Sequence, residues 1–262
     1  MKPVAFALDR PKDLPELGDL LARHPDARLM AGGQSLGPML NFRLARPARV
    51  VPIAQLAELG GVEETADAVT IGACVTHAAI SDGRVPDIGD AILARIAGGI
   101  AYRAVRNRGT IGGSLCHADP AADWLCTLTA LNAVALTWHA GGGRAVPLAA
   151  FVPAAFRNAL QPGEILQAVR IPRPSPAARF GFDKACRKPG EFAHAMVAVL
   201  DDPARGLRRA VIGAVGGPPV VLDGVEANVE AAAQALRHSG LDAVGRHMQL
   251  VVFRRVWERA GS

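Results

Sequence analysis

Apolar residues recur every three or four positions in some stretches of this chain and in short continuous or alternating runs in others, which predicts helices and strands interleaved along its length. Leu14, Leu17, Leu20 and Leu21 give Pro11 to His24 a helical stripe, and Ala27 to Ala31 reads as a short strand running into Gly32-Gly33. Ser35 to Leu40 reads as a helical turn and Ala48 to Ile53 as the next strand. After Gly60-Gly61, Ala68 to Ala73 predicts a strand, Thr76 an N-cap, and His77 to Ile80 the start of a helix. Ile88, Ile92, Leu93, Ile96 and Ile100 predict a helix over Asp87 to Tyr102, which delivers the chain to a second glycine pair, Gly112-Gly113. Asp119-Pro120 predicts a helix with proline at its first position, Asp123 in its first turn, and Trp124, Leu125, Leu128 and Leu131 on its buried face. Ala133 to Trp138 and Arg144 to Leu148 flank Gly141 to Gly143 as a hairpin, and Glu164 to Ile171 reads as one more strand.

The segment Pro172-Arg173-Pro174-Ser175-Pro176 is the clearest boundary, because proline-dense backbone holds neither a helix nor a central strand. Beyond it, Arg179 to Ala185, Ala193 to Leu200 and Arg208 to Val215 read as strands, and Gly224 to His238 and Leu241 to Ala260 as helices, a sheet backed by helices. The expected division is therefore residues 1–60, 61–172 and 178–262.

The chain has 262 residues, half of them hydrophobic, which is enough for a sizeable core divided among subdomains. No apolar run reaches the roughly 18 residues a membrane span requires, and Met1 to Phe6 lacks a long apolar segment, so no membrane span and a cytoplasmic location are expected. The formal charge is +5, but the arginines are scattered and there is a single tyrosine. That argues against nucleic acid and fits a basic surface facing acidic partner subunits equally well. Cys74, Cys116, Cys126 and Cys186 form no C-x-x-C unit, which argues against a zinc site or an iron–sulfur cluster in this chain; they read as buried small hydrophobes.

Against this background the two glycine pairs carry the chemistry. Ala31-Gly32-Gly33-Gln34-Ser35-Leu36 and Thr110-Ile111-Gly112-Gly113-Ser114-Leu115 each place two residues without a Cβ where the backbone turns. Successive N–H groups in such turns converge into a nest for phosphate oxygens, and the hydroxyls of Ser35, Thr110 and Ser114 add donors without any lysine.

Ala31 to Pro47 and Val105 to Asp123 closely resemble the FAD-binding medium subunit of molybdenum hydroxylases. This is the family of the aerobic carbon monoxide dehydrogenase medium subunit and the middle domain of eukaryotic xanthine dehydrogenase. The resemblance continues through Ile71 to His77, Pro162 to Leu166, Lys184 to Ala193 and Ile212 to Gly216, in order along nearly the whole chain. It implies an α+β fold of the vanillyl-alcohol-oxidase (PCMH) type, in which two α/β subdomains clasp FAD and a C-terminal α/β domain covers the flavin. Ala31, Gly32, Gly33, Gln34, Ser35 and Leu36 would line one pyrophosphate grip, and Thr110, Gly112, Gly113 and Ser114 the other.

By the same resemblance, Asp123 would accept from cofactor hydroxyls, though a first-turn carboxylate stabilised by the helix dipole is the plain alternative. Asp119 is either a cofactor ligand or an ordinary N-cap, and Ile100 and Leu166 are either cofactor contacts or core. Lys184 would stabilise charge on the reduced ring, or be a solvated strand-end lysine. Thr76 and His77 occupy the family's Thr-His position, with Val75 where a threonine is common, and a capping role for Thr76 would explain the pair without a ligand. Glu191-Phe192 stands where many members have an acidic residue and tyrosine. Arg103, Arg106 and Arg108 would bind phosphate, face a partner, or stay solvated.

The resemblance further implies an electron-transfer subunit. A large molybdenum–pterin subunit would oxidise substrate, a small subunit would carry [2Fe–2S] clusters, and the flavin would join one-electron to two-electron chemistry, in a dimer of heterotrimers. No catalytic acid–base residue and no metal ligand is assigned to this chain. The alternatives are a free-standing flavin oxidoreductase of the same fold and a noncatalytic nucleotide-binding assembly module.

Overall fold

The computed structural model describes residues 2–224 and 227–261. Its first region comprises β1 (Ala7–Leu8), α1 (Leu14–Arg23), β2 (Arg28–Met30), α2 (Leu36–Asn41) and β3 (Arg49–Pro52), with the parallel strands in the order β1-β3-β2. Helix α1 starts at Leu14, where its apolar stripe begins, rather than at the expected Pro11, because Asp13 caps it, accepting from the Glu16 amide at 2.8 Å. Its four leucines pack on Val51, Ile53, Leu56 and Leu59, and the same core takes in Cys74 and Ile165 from the second region.

The second region contains β4 (Val62–Glu64), β5 (Ala68–Gly72), α3 (His77–Ser81), α4 (Ile92–Gly98), α5 (Arg103–Arg106), α6 (Ile111–His117), α7 (Asp123–Ala130), β6 (Val134–Trp138), β7 (Ala145–Pro147), α8 (Leu148–Phe151) and β8 (Ile165–Pro172). Its antiparallel sheet runs β4-β5-β8-β6-β7. Val169 of β8 pairs with Ile71 on one side and Ala135 on the other, all three fully buried. Three expectations are corrected here. The helix expected over Asp87 to Tyr102 is confined to α4, because Gly89, Asp90 and Ala91 take positive φ and Asp87 caps the late start through the Leu93 and Ala94 amides. The helix expected at Pro120 begins at Asp123, with Asp119 holding a tight turn through the Ala121 amide at 2.9 Å. Gly112 and Gly113 lie inside the first turn of α6 rather than in a loop.

The third region is a meander, β9 (Arg179–Ala185), β10 (Ala195–Asp202), β11 (Leu207–Gly213) and β12 (Val220–Asp223), followed by α9 (Val229–Leu236) and α10 (Ala243–Gly261). Strand β12 is an addition to the strands read from sequence, and residues 225 and 226 of the expected Gly224 to His238 helix lie outside the described residues. Strand β10 is buried on both faces. Val197 and Val199 meet Val252, Phe253 and Val256 of α10, while Met196 and Ala198 meet Cys126 and Ala130 of α7. Helix α7 thus belongs to two cores, and it seats the third region on the second. No helix among the described residues is long and apolar enough to cross a membrane.

Candidate functional site: a seam between two glycine segments

The first glycine segment links β2 to α2. Gly33 takes φ 69°, a conformation that glycine adopts freely, and Gln34 folds back so that its Nε2 donates to the Gly32 carbonyl at 3.0 Å. The backbone N–H groups of Gly33, Gln34 and Ser35 have no acceptor among the described residues, and Ser35 leaves its hydroxyl off the α2 cap. Three adjacent donors and a hydroxyl on half-buried backbone are the arrangement an anionic diphosphate satisfies.

The second segment is built differently. Thr110 caps α6, its Oγ1 accepting from the Gly113 amide at 3.0 Å. The Ile111 amide donates to Val75 (3.1 Å), that of Gly112 to Ala73 (2.9 Å), and that of Ser114 to Thr110 (3.0 Å). These four amides are therefore engaged within the protein, and the segment is no nest. What it offers a ligand is the half-buried Ser114 side chain.

The glycines bring the two segments together. A Cβ on Gly32 would lie 2.0 Å from the Arg108 carbonyl oxygen, and one on Gly113 would lie 3.7 Å from the Ala31 Cβ. A Cβ on Gly112 would lie 2.4 Å from the Ala73 Cβ, so this glycine lets α6 seat against the end of β5. Gly32 and Gly112 thus permit close packing, whereas Gly33 permits a turn.

The residues that the resemblance implicates beyond these segments fall into three groups. Asp123 and Lys184 form a buried ion pair at 2.6 Å, and Lys184 Nζ also donates to the Gly99 carbonyl at 3.1 Å. Neither is a solvated side chain, with only 7% and 12% exposure. Burial pushes the Asp123 carboxyl above its ordinary range, against the pull of the Lys184 ammonium. Thr76 and His77 support the second segment from behind: Thr76 Oγ1 caps α3 through the Ala79 amide at 3.1 Å, and the His77 amide donates to the Gly109 carbonyl at 2.9 Å. The buried His77 ring accepts at Nδ1 from Trp124 Nε1 at 3.1 Å, and burial, aided by the Arg106 charge, lowers its pKa to about 4. It is neutral at physiological pH. Leu166 is buried in the main core, Ile100 is half-buried at the core's edge, and Asp119 holds its turn.

Of the three arginines before the second segment, Arg103 makes a two-point ion pair with Asp82 at 2.7 and 2.8 Å and Arg108 is exposed. Arg106 turns inward and donates through Nη1 to the Ile100 (3.0 Å) and Ala101 (2.7 Å) carbonyls. Sequence reasoning treated the three alike. Nothing in the sequence separates Arg106 from its two neighbours, because the loop that turns it inward lies outside its own segment.

Comparison with known proteins agrees with this architecture. Residues 4–174 match the family described as the FAD binding domain in molybdopterin dehydrogenase. Caffeine dehydrogenase subunit beta of Pseudomonas sp. (strain CBB1) is 34% identical over 231 residues, covering 86% of this chain and 78% of that protein. The carbon monoxide dehydrogenase medium chain of Afipia carboxidovorans is 34% identical over 206 residues, covering 76% and 70%. Reconstituted CO dehydrogenase from Oligotropha carboxidovorans superposes with a TM-score of 0.88 at 29% identity, covering 99% of both chains. Quinoline 2-oxidoreductase from Pseudomonas putida 86 gives 0.85 at 31% identity, covering 99% and 98%. An α+β chain with free amides on its first glycine segment, matched along its length in this way, belongs to the FAD-binding domain family of molybdopterin dehydrogenases, as an FAD-binding medium subunit of the molybdenum hydroxylase type.

Proposed function

We propose that this chain is the electron-transfer subunit of a cytoplasmic dimer of heterotrimers. It would take electrons from the [2Fe–2S] clusters of a small partner subunit, downstream of a large molybdenum–pterin subunit, and pass them to an external acceptor. The observation that carries the reading is the seam: three amides of residues 33–35, with no acceptor among the described residues, lie on a segment in contact with a second one. FAD supplies the junction between one-electron and two-electron chemistry. The chain's own groups bind and orient it. The amides of Gly33, Gln34 and Ser35 and the hydroxyls of Ser35 and Ser114 would hold the diphosphate, with Ala31, Gly32 and Leu36 shaping the turn. Thr110, Gly112 and Gly113 hold the opposing wall, Thr76 and His77 support it, and Asp119 would be a further cofactor contact. Ile100 and Leu166 would supply apolar contacts, and Asp123 and Lys184 polar ones at the ring side.

The cysteines support placing the clusters on a partner. Cys74 and Cys126 are buried and Cys116 and Cys186 half-buried, and no group of three or more His, Cys, Asp or Glu side chains among the described residues is placed to hold a metal ion. The test is to express the chain alone and with its large and small neighbours. The lone chain should purify yellow with FAD and oxidise no substrate, and its flavin should be reduced when the [2Fe–2S] partner is reduced first. Substrate turnover by the lone chain, or a flavin the reduced partner leaves oxidised, contradicts the reading.

A further inference from the structure

Three consecutive carbonyls, those of Gly99, Ile100 and Ala101, are each held by a cation. Lys184 reaches Gly99 from β9, and Arg106 reaches Ile100 and Ala101 from α5. The Ala101 amide meanwhile donates to the Gly190 carbonyl at 3.1 Å, so Ile100 and Gly190 pair as an isolated parallel bridge between the second and third regions. The geometry is demanding on both sides. Ala101 takes φ 45°, rare for a residue with a Cβ, and Gly190 takes φ 87°, where an added Cβ would lie 2.7 Å from the Ala101 oxygen. Such a loop persists only when its surroundings over-determine it, and here two cations and a cross-region hydrogen bond do so. Arg106 accepts a penalty to take part, because its Nε is buried without an acceptor among the described residues.

We infer that Arg106 is a positioning residue for the flavin site: it fixes the Gly99–Tyr102 loop, and through that loop the placement of Ile100 and the Lys184–Asp123 pair. The inference rests on the seam being the FAD site. Arg106 leads directly into the second glycine segment, and its charge also bears on the buried His77 behind that segment. One side chain thereby ties the wall of the seam to the loop that the third region grips. Arg103 and Arg108, its neighbours, have no such reach.

The test uses the full chain with Arg106→Ala, Arg106→Lys and Gly190→Ala, measuring FAD affinity by flavin fluorescence and residue-resolved hydrogen exchange at Ala101. Arg106→Ala should weaken FAD binding about tenfold, the factor carried by one charge-assisted hydrogen bond, and speed exchange at Ala101 by a comparable factor. Arg106→Lys, whose ammonium has donors for both carbonyls, should recover much of each loss. Gly190→Ala, acting from the opposite side of the loop, should reproduce both changes, and it carries the comparison if Arg106→Ala fails to fold. Wild-type FAD affinity in Arg106→Ala and Gly190→Ala overturns the inference, and so does FAD loss with Ala101 exchange unchanged. A wild-type chain that binds no FAD overturns the flavin reading itself, and the inference with it.

Discussion

Gly32-Gly33 and Gly112-Gly113 are spelled alike and do different work. The first pair sits between a strand and a helix, one glycine in the left-handed region, with the neighbouring amides given no acceptor among the described residues. The second pair sits inside a helical turn with its amides bonded to Ala73 and Thr110. In the proposed reading one segment faces the ligand and the other is a wall that the first touches. A Gly-Gly pair therefore marks backbone that comes close to something, and only the fold says whether that something is a ligand or the protein itself.

The largest effect that separates the two is expected from Gly112→Val. Its Cβ would overlap Ala73, so the cost should be about 3 kcal/mol or more, read as a large fall in thermal unfolding temperature whether or not FAD is present. Next is Lys184→Met, which strands the buried Asp123 carboxylate and should cost about 3 kcal/mol; adding Asp123→Asn should recover much of it in urea unfolding. An unchanged stability in the single variant would show that the pair does not brace the third region against the second.

Acid gives a third handle on the wall alone. His77 has an ordinary pKa of 6.5 and a folded value of about 4, so the unfolded chain binds its proton first as pH falls. Its contribution is complete above pH 6.5 and is lost toward pH 4, amounting to roughly 3 kcal/mol at most. Stability measured across that window should fall less steeply in His77→Gln. The smallest effect should come from Gly33→Ala, where strain at φ 69° costs about 1 kcal/mol while the fold persists and FAD affinity drops.

Where periodicity was strong, the chain was legible. The leucines of α1, the β6–β7 hairpin and the three strands β9 to β11 follow from spacing and turn residues alone, because each buries one continuous face against a neighbour. The misreadings share a cause in local cues that tertiary contacts override. Gly112-Gly113 reads as a breaker, yet the missing side chain of Gly112 lets α6 reach Ala73. Asp119-Pro120 reads as a helix start, but Asp119 closes a turn onto Ala121 and leaves Asp123 to open α7 beside Lys184. At the proposed site, the motif order singled out two segments that do lie in contact, while the hydrogen bonding that distinguishes them was not legible, since it depends on which carbonyls lie opposite. Arg106 was equally hidden among its neighbours, because inward orientation is set by the Gly99–Tyr102 loop and not by its own segment.

The most direct test of the division between ligand-facing turn and wall is residue-resolved amide hydrogen exchange with and without FAD. The amides of Gly33, Gln34 and Ser35 should exchange freely in the FAD-free chain and become protected when FAD binds, while those of Ile111 to Ser114 should be protected in both states. Amides 111–114 that exchange freely without FAD and are protected by it, with 33–35 unaffected, would contradict the account.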